Sequence, residues 1–166
     1  MNELIYNQCK IPKNQWRYGF RSSAATGCGW IATHNALLLM GPPSKPEELI
    51  QYYKHCFPFI NGITGTFLPN IIQFFKKNHF EVKVTGQRKK FDEISRNSDV
   101  CILFYFWHRK WKFGSHYVTV QYSDEKFWGY NTYSNSTGAD YFGKSLEKYI
   151  KRRKFKGVIL IAIQNK

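Results

Sequence analysis

Apolar and polar positions change their spacing once along the 166-residue chain. In the first half they recur at helical intervals. Trp30, Ile31 and residues 37–40 supply a thick apolar face that Gly41, Pro42 and Pro43 bring to a stop, and Thr26 stands where a helix cap is expected. Ser44 and Glu47 have the spacing of a capping box with Pro46 in the first turn, predicting a second helix through Cys56. Leu68, Ile71, Ile72 and Phe75 predict a third over 66–78, with lysines in its last turn.

Beyond residue 80 the period shortens to two. Residues 81–85 alternate, 100–107 are continuously apolar and aromatic, 116–122 alternate, 126–132 look extended, and 157–163 read as a buried strand. Short helices are expected over 91–96 and 144–153. Helices first and strands afterwards, with hairpin-length connections, argue for an α+β fold with N-terminal helices packed on an antiparallel sheet. The length and an aromatic content of 18% suit one domain, 1–166, with a real core.

Composition adds charge. Lys and Arg number 25 against 11 Asp and Glu, a net +14. The basic residues cluster at 76–77, 88–90, 109–112 and 151–154, so an anionic partner suits this surface. Trp107, Trp111 and Phe113 among those cations would also suit weak, sequence-independent nucleic-acid binding. No glycine-rich phosphate loop, zinc-finger spacing or RNP-like strand accompanies the charge.

Cysteines 9, 28, 56 and 101 lie far apart with no Cys-x-x-Cys, which signals neither zinc nor a redox pair, and no cofactor is expected. Cys101 falls in a buried strand and reads as packing. No apolar run reaches a membrane span, and residues 1–8 lack the basic start and apolar core of a signal peptide. The expectation is a reduced, cytoplasmic protein. By the same reading Asn135-Ser-Thr137 is a polar loop and not a glycosylation site.

Cys28 stands between two glycines at a helix start, an odd place for a core thiol. The unpaired N–H groups there favour thiolate, and glycines let another chain or a ligand approach the backbone. A thiol nucleophile needs a base, and five histidines compete. His34 is six residues along the same helix and points to another face, while His55 and His79 end helices. Spacing favours His116, at the start of an alternating strand, over His108 in the basic connection.

Gly27-Cys-Gly29 opening an apolar helix, then Ser115-His-Tyr-Val-Thr-Val120, then Gly129-Tyr-Asn-Thr132, together resemble the papain-like cysteine peptidases. The small size and the Gly-Cys-Gly form are most similar to the branch of bacteriocin-processing, double-glycine leader peptidases and their stand-alone relatives. The resemblance covers roughly residues 8–132. It implies a papain-like fold with Cys28 as nucleophile, His116 as general base and acid, and Asn131 orienting the imidazole. It also implies an oxyanion-hole glutamine upstream of the cysteine. Ser22 occupies the position six residues before Cys28, so the available glutamines are Gln8, which the resemblance favours, and Gln15.

The expected activity is hydrolysis of a peptide or protein substrate through an acyl-enzyme, with acidic segments near the scissile bond suited to the basic surface. Acyl transfer or glutamine deamidation on the same site stays open, as does a non-catalytic basic protein that binds an anionic polymer. Two geometric expectations follow. Cys28 should react with iodoacetamide at pH 6 ahead of the other thiols. The hairpin of 116–122 and 126–132 should set His116 opposite Asn131 if its loop is Ser123-Asp124, or diagonal to it if the loop spans 123–126, with Asn131 Oδ1 accepting from the imidazole in both cases.

Overall fold

The computed structural model describes residues 3–56, 65–109 and 111–166. Strands β1 (Arg17–Tyr18) and β2 (Arg21–Ser22) lead into helices α1 (Ser23–Thr26), α2 (Cys28–Met40), α3 (Pro46–Lys54) and α4 (Leu68–Lys77). There follow β3 (Glu81–Thr85), α5 (Phe91–Arg96), β4 (Val100–Arg109), β5 (Lys112–Ser123), β6 (Lys126–Tyr130), β7 (Asp140–Gly143), α6 (Leu146–Arg153) and β8 (Lys156–Gln164). The last six strands form one sheet in the order β3-β8-β4-β5-β6-β7, antiparallel at every step. The architecture is the α+β one read from the sequence.

Side-chain alternation gives this sheet two buried faces. Ile102, Tyr117 and Ile161 on one face pack with Trp30, Ile31, Leu49, Tyr53, Ile71 and Phe75 from α2, α3 and α4. Leu103, Tyr105, Val118 and Leu160 on the other pack with Phe91 and Ile94 of α5 and Leu146 and Ile150 of α6. Strands β4 and β8 are covered twice, which is why their sequences are apolar at nearly every position. Helix α2 lies against the sheet and beneath α3 and α4, and every residue from Gly29 to Leu37 is buried.

Local chemistry differs from the sequence reading at several ends. Gly27, not Thr26, is the residue before α2, and it offers no side-chain cap. Gly41 does close the helix, in the left-handed region at φ 102°, with its N–H on Leu38 O. The capping box of α3 does not form: Lys45 is its N-cap, and Ser44 Oγ instead meets His34 Nδ1 at 2.8 Å. A buried histidine with no other partner at that nitrogen outcompetes an exposed backbone N–H.

Strands β4 and β5 run on past their expected ends and pair as far as Arg109 with Lys112, so the basic stretch read as a connection is a hairpin arm. Lys110 lies outside the described residues. Strand β8 pairs with β4 only as far as Phe106, and β6 with β5 only from Thr119, so the arm projects beyond both neighbours. Trp107 covers Gly114, while Trp111 and Phe113 at its tip are 98% and 83% exposed. The edge strand β7 was not foreseen, since Asp140-Tyr-Phe-Gly143 is too short and mixed to show a period. Among the described residues no helix is long and apolar enough to cross a membrane.

Candidate active site

Cys28 opens α2, and the glycines beside it are required by the chain's own packing. A Cβ on Gly27 would lie 2.5 Å from Ser23 O and 2.7 Å from Trp30 Nε1, and one on Gly29 would lie 2.3 Å from Thr66 Cβ. The close approach expected at these glycines is therefore made by Ser23, Trp30 and Thr66. Thr66 is itself held, with Oγ1 2.8 Å from Tyr18 Oη and its carbonyl accepting from Tyr117 Oη at 3.1 Å. These contacts seat the first turn of α2 against β5.

Strand β6 ends at Tyr130, opposite Thr119. Tyr117, the next residue of β5 with the same hydrogen-bonding direction, has no β6 residue across from it. Its N–H faces the Cys28 sulfur, as do the N–H groups of Gly29 and Cys28 itself. Cys28 thus lies near Tyr117, where β5 runs on without β6. Part of the residue reaches solvent, yet atoms crowd the sulfur. Burial pushes the thiol above its usual pKa and outweighs the three amides that pull it down. This corrects the expectation of a pre-formed thiolate: the helix N-terminus acts in the expected direction but loses to desolvation.

His116 is fixed from the other side of the hairpin. Asp124 and Glu125, both at positive φ, make a two-residue turn, and Ser123 pairs with Lys126. The loop has the shorter expected length, placed one residue later, and the register is the one that sets Asn131 on the diagonal from His116. Asn131 then leaves the strand at φ 61°, a left-handed conformation that asparagine tolerates. That turn brings its main-chain carbonyl, not its side chain, to His116 Nε2 at 2.7 Å. The expected bond to Asn131 Oδ1 is not the one formed. A carbonyl only accepts, so Nε2 carries the hydrogen, and Nδ1 of the neutral ring is the basic nitrogen. Burial holds the His116 pKa below its usual value, opposed by the Asn131 carbonyl. Tyr105 stands edge-on to the ring, with centroids 6.0 Å apart.

The Asn131 side chain, 2% exposed, is spent on Gln8. Its Oδ1 accepts from Gln8 N at 2.8 Å, and its Nδ2 donates to Gln8 Oε1 at 3.0 Å. Gln8 Nε2 donates in turn to Ala24 O of α1, at 3.1 Å. Asn7, which the sequence reading passed over, adds a second tie from the same segment through Nδ2 to Ser134 O at 2.7 Å. Adjacent amides at 7 and 8 in an otherwise apolar and aromatic stretch were the available signal.

A cleft of about 760 Å³ opens beside this group. Gln8, Cys9, His108, His116 and Asn131 line it, as do Thr132, Arg153 and Lys156, to which the sequence reading gave no role at the site. Cys28 is not part of that lining. Gln15 lies in a separate cavity of about 370 Å³ with His34, so only Gln8 of the two candidate glutamines stands at the site. His34 is buried and bonded at both nitrogens, to Ser44 and to Glu3 O. His55 and His79 are exposed. Among the described residues no group of three His, Cys, Asp or Glu side chains is arranged to hold a metal ion.

No protein-family model and no curated protein sequence matches the chain. Among solved structures it is similar to the peptidase domain of Streptococcus ComA, a bi-functional ABC transporter involved in a quorum-sensing pathway. The TM-score is 0.59 at 14% sequence identity, over 86% of this chain and 93% of that one. The chain therefore has the α+β, papain-like fold of that peptidase domain.

Proposed function

We propose that the chain is a cysteine peptidase in which Cys28 is the nucleophile, His116 the general base and acid, and Asn131 the group that positions the imidazole. The observation that supports this best is the junction of α2 with β5. There the main chain of Tyr117, the residue after a histidine of defined tautomer, joins the N–H groups of the first turn of α2 in pulling the Cys28 thiol pKa down.

Burial favours the uncharged forms of both groups, so the resting pair is thiol and neutral imidazole. The sulfur attacks a peptide carbonyl as its proton passes to His116 Nδ1, and Nε2–H stays on the Asn131 carbonyl throughout. The imidazolium then gives the proton to the departing amine, leaving a thioester on Cys28. Water attacks the thioester, His116 takes one proton from it, and the acid leaves as the thiol re-forms. One peptide bond and one water become an acid and an amine.

Gln8 is the proposed oxyanion donor. One hydrogen of its amide is used on Ala24 O and its oxygen on Asn131, which leaves the second N–H for the tetrahedral intermediate. Its ties also brace Asn131, so a single residue both serves the oxyanion and steadies the histidine.

Digesting a peptide pool in H2¹⁸O with the wild type, Cys28→Ala and His116→Gln tests the reading. Hydrolysis places one ¹⁸O in each new carboxyl group, and each variant should lose at least about a thousandfold in rate. Products joined to a second amine, or glutamines turned to glutamates without chain cleavage, would assign the site to acyl transfer or deamidation instead.

A further inference from the structure

The wall of the cleft that faces away from α2 carries an arginine with no acid to pair with. The Arg153 guanidinium lies over the Tyr133 ring at 5.0 Å and the Phe155 ring at 5.9 Å. Tyr133 is itself tied, Oη to Oη, to buried Tyr149 at 2.7 Å. Lying over two rings favours this position of the cation, although the residue as a whole is exposed. Among the described residues the one ion pair is Lys45 with Glu48, far from this cleft in the chain, and no Asp or Glu appears in the cleft lining. Lys154 and Lys156 flank Arg153 in the same lining.

A second group awaits a partner there. Thr132 is 7% exposed and lines the cleft, and its hydroxyl has no hydrogen-bond partner. A buried hydroxyl left unpaired is costly; this one is closed off from solvent, and a turn about χ1 toward the cleft would let a ligand oxygen satisfy it. It follows Asn131 directly, so anything bound at Thr132 is one residue from the carbonyl that holds His116.

We propose that this wall is a carboxylate subsite: the peptide substrate carries an acidic group that accepts from Arg153 and Thr132 while its scissile bond lies toward His116. The inference rests on the peptidase reading of the same cleft and adds which chemistry the cleft selects. General basicity would attract acidic peptides from any direction, whereas an arginine over two rings in a lining that also carries an unpaired hydroxyl reads one carboxylate at one position.

The test measures binding apart from cleavage. The full chain carrying Cys28→Ala is titrated with fluorescent octapeptides bearing glutamate, or its isostere glutamine, at each position in turn, each with a free or an amidated C-terminus. One glutamate position, or the free C-terminus, should bind about tenfold more tightly than its neutral counterpart, a ratio corresponding to ~1.4 kcal/mol. Loss of the preference on amidation identifies a terminal carboxylate, and its persistence identifies a side chain. Adding Arg153→Met, which keeps the stem over the rings, should erase the preference, and Arg153→Lys should restore part of it. Thr132→Val should reduce it several-fold. Equal binding of acid and amide peptides, or a preference that survives Arg153→Met and disappears only in high salt, would overturn the subsite. A preserved preference in a protein whose wild type cleaves nothing would overturn the peptidase reading alone.

Discussion

Gln8 and Asn131, 123 residues apart, are joined by two hydrogen bonds that use both ends of the asparagine amide. The histidine is held by the Asn131 main chain, so the side chain acts on it only through the shape of this turn.

Removing either amide should therefore cost stability more than it costs the imidazole its partner. Gln8→Ala and Asn131→Gly should each lower unfolding free energy by ~1–2 kcal/mol. The double variant should lose less than the two together, by ~0.5–1 kcal/mol in a urea-melt cycle. Asn131→Ala should be worse than Asn131→Gly by ~1 kcal/mol, since alanine must hold a left-handed backbone that glycine adopts freely.

The thiols should not label in the order that a pre-formed thiolate would give. Cys9 is exposed at the cleft and should react first with iodoacetamide. Cys28, whose thiol burial pushes up, should lag at pH 6 and gain as pH rises. Cys101, buried and pushed up to about 12, should react last. Peptide mapping by mass spectrometry reads the order, and Cys28 labelling fastest at pH 6 would restore the thiolate.

Acid should unfold the protein through its buried histidines. His34 and His116 both have pKa values lowered by burial, so the unfolded chain binds protons that the folded one refuses. Their contribution is fully present above the unfolded value near 6.5 and is lost as pH falls through it towards the lower folded values. Urea midpoints should drop from pH 7 to pH 5, and the drop should shrink in His34→Gln. A midpoint flat across that range would contradict the burial of both rings.

Gly29→Ala should disturb the site without touching its chemistry. The added methyl would sit 2.3 Å from Thr66 Cβ, and Thr66 is anchored to Tyr18 and Tyr117 and cannot withdraw freely. Overpacking of this kind costs ~1–3 kcal/mol. A thermal melt should show the loss, and cleavage should fall with it because α2 and β5 are pushed apart at Cys28.

What could be read in advance divides along physical lines. Helix α2 and strands β4, β5 and β8 were legible because burial writes a period or an unbroken apolar run into their residues. The nearness of Cys28 to the β5 edge was reached through the need for a base and through resemblance, since no local pattern reports a contact 89 residues away. The role of the Asn131 carbonyl was hidden because main-chain atoms are the same at every position, and only the left-handed turn aims this one. Ser44 illustrates the converse: its spacing to Glu47 fits a cap, but a buried histidine offered the hydroxyl a better partner.

The central claim, that Cys28 carries the acyl group, is tested most directly by intact-mass analysis of the protein quenched in acid during turnover of a cleaved peptide. A species heavier by the acyl half of the substrate is expected, mapped to Cys28, stable in acid, released by hydroxylamine and absent from Cys28→Ala. Continued cleavage by Cys28→Ala at the wild-type rate, or an acyl group found on Cys9, would contradict it.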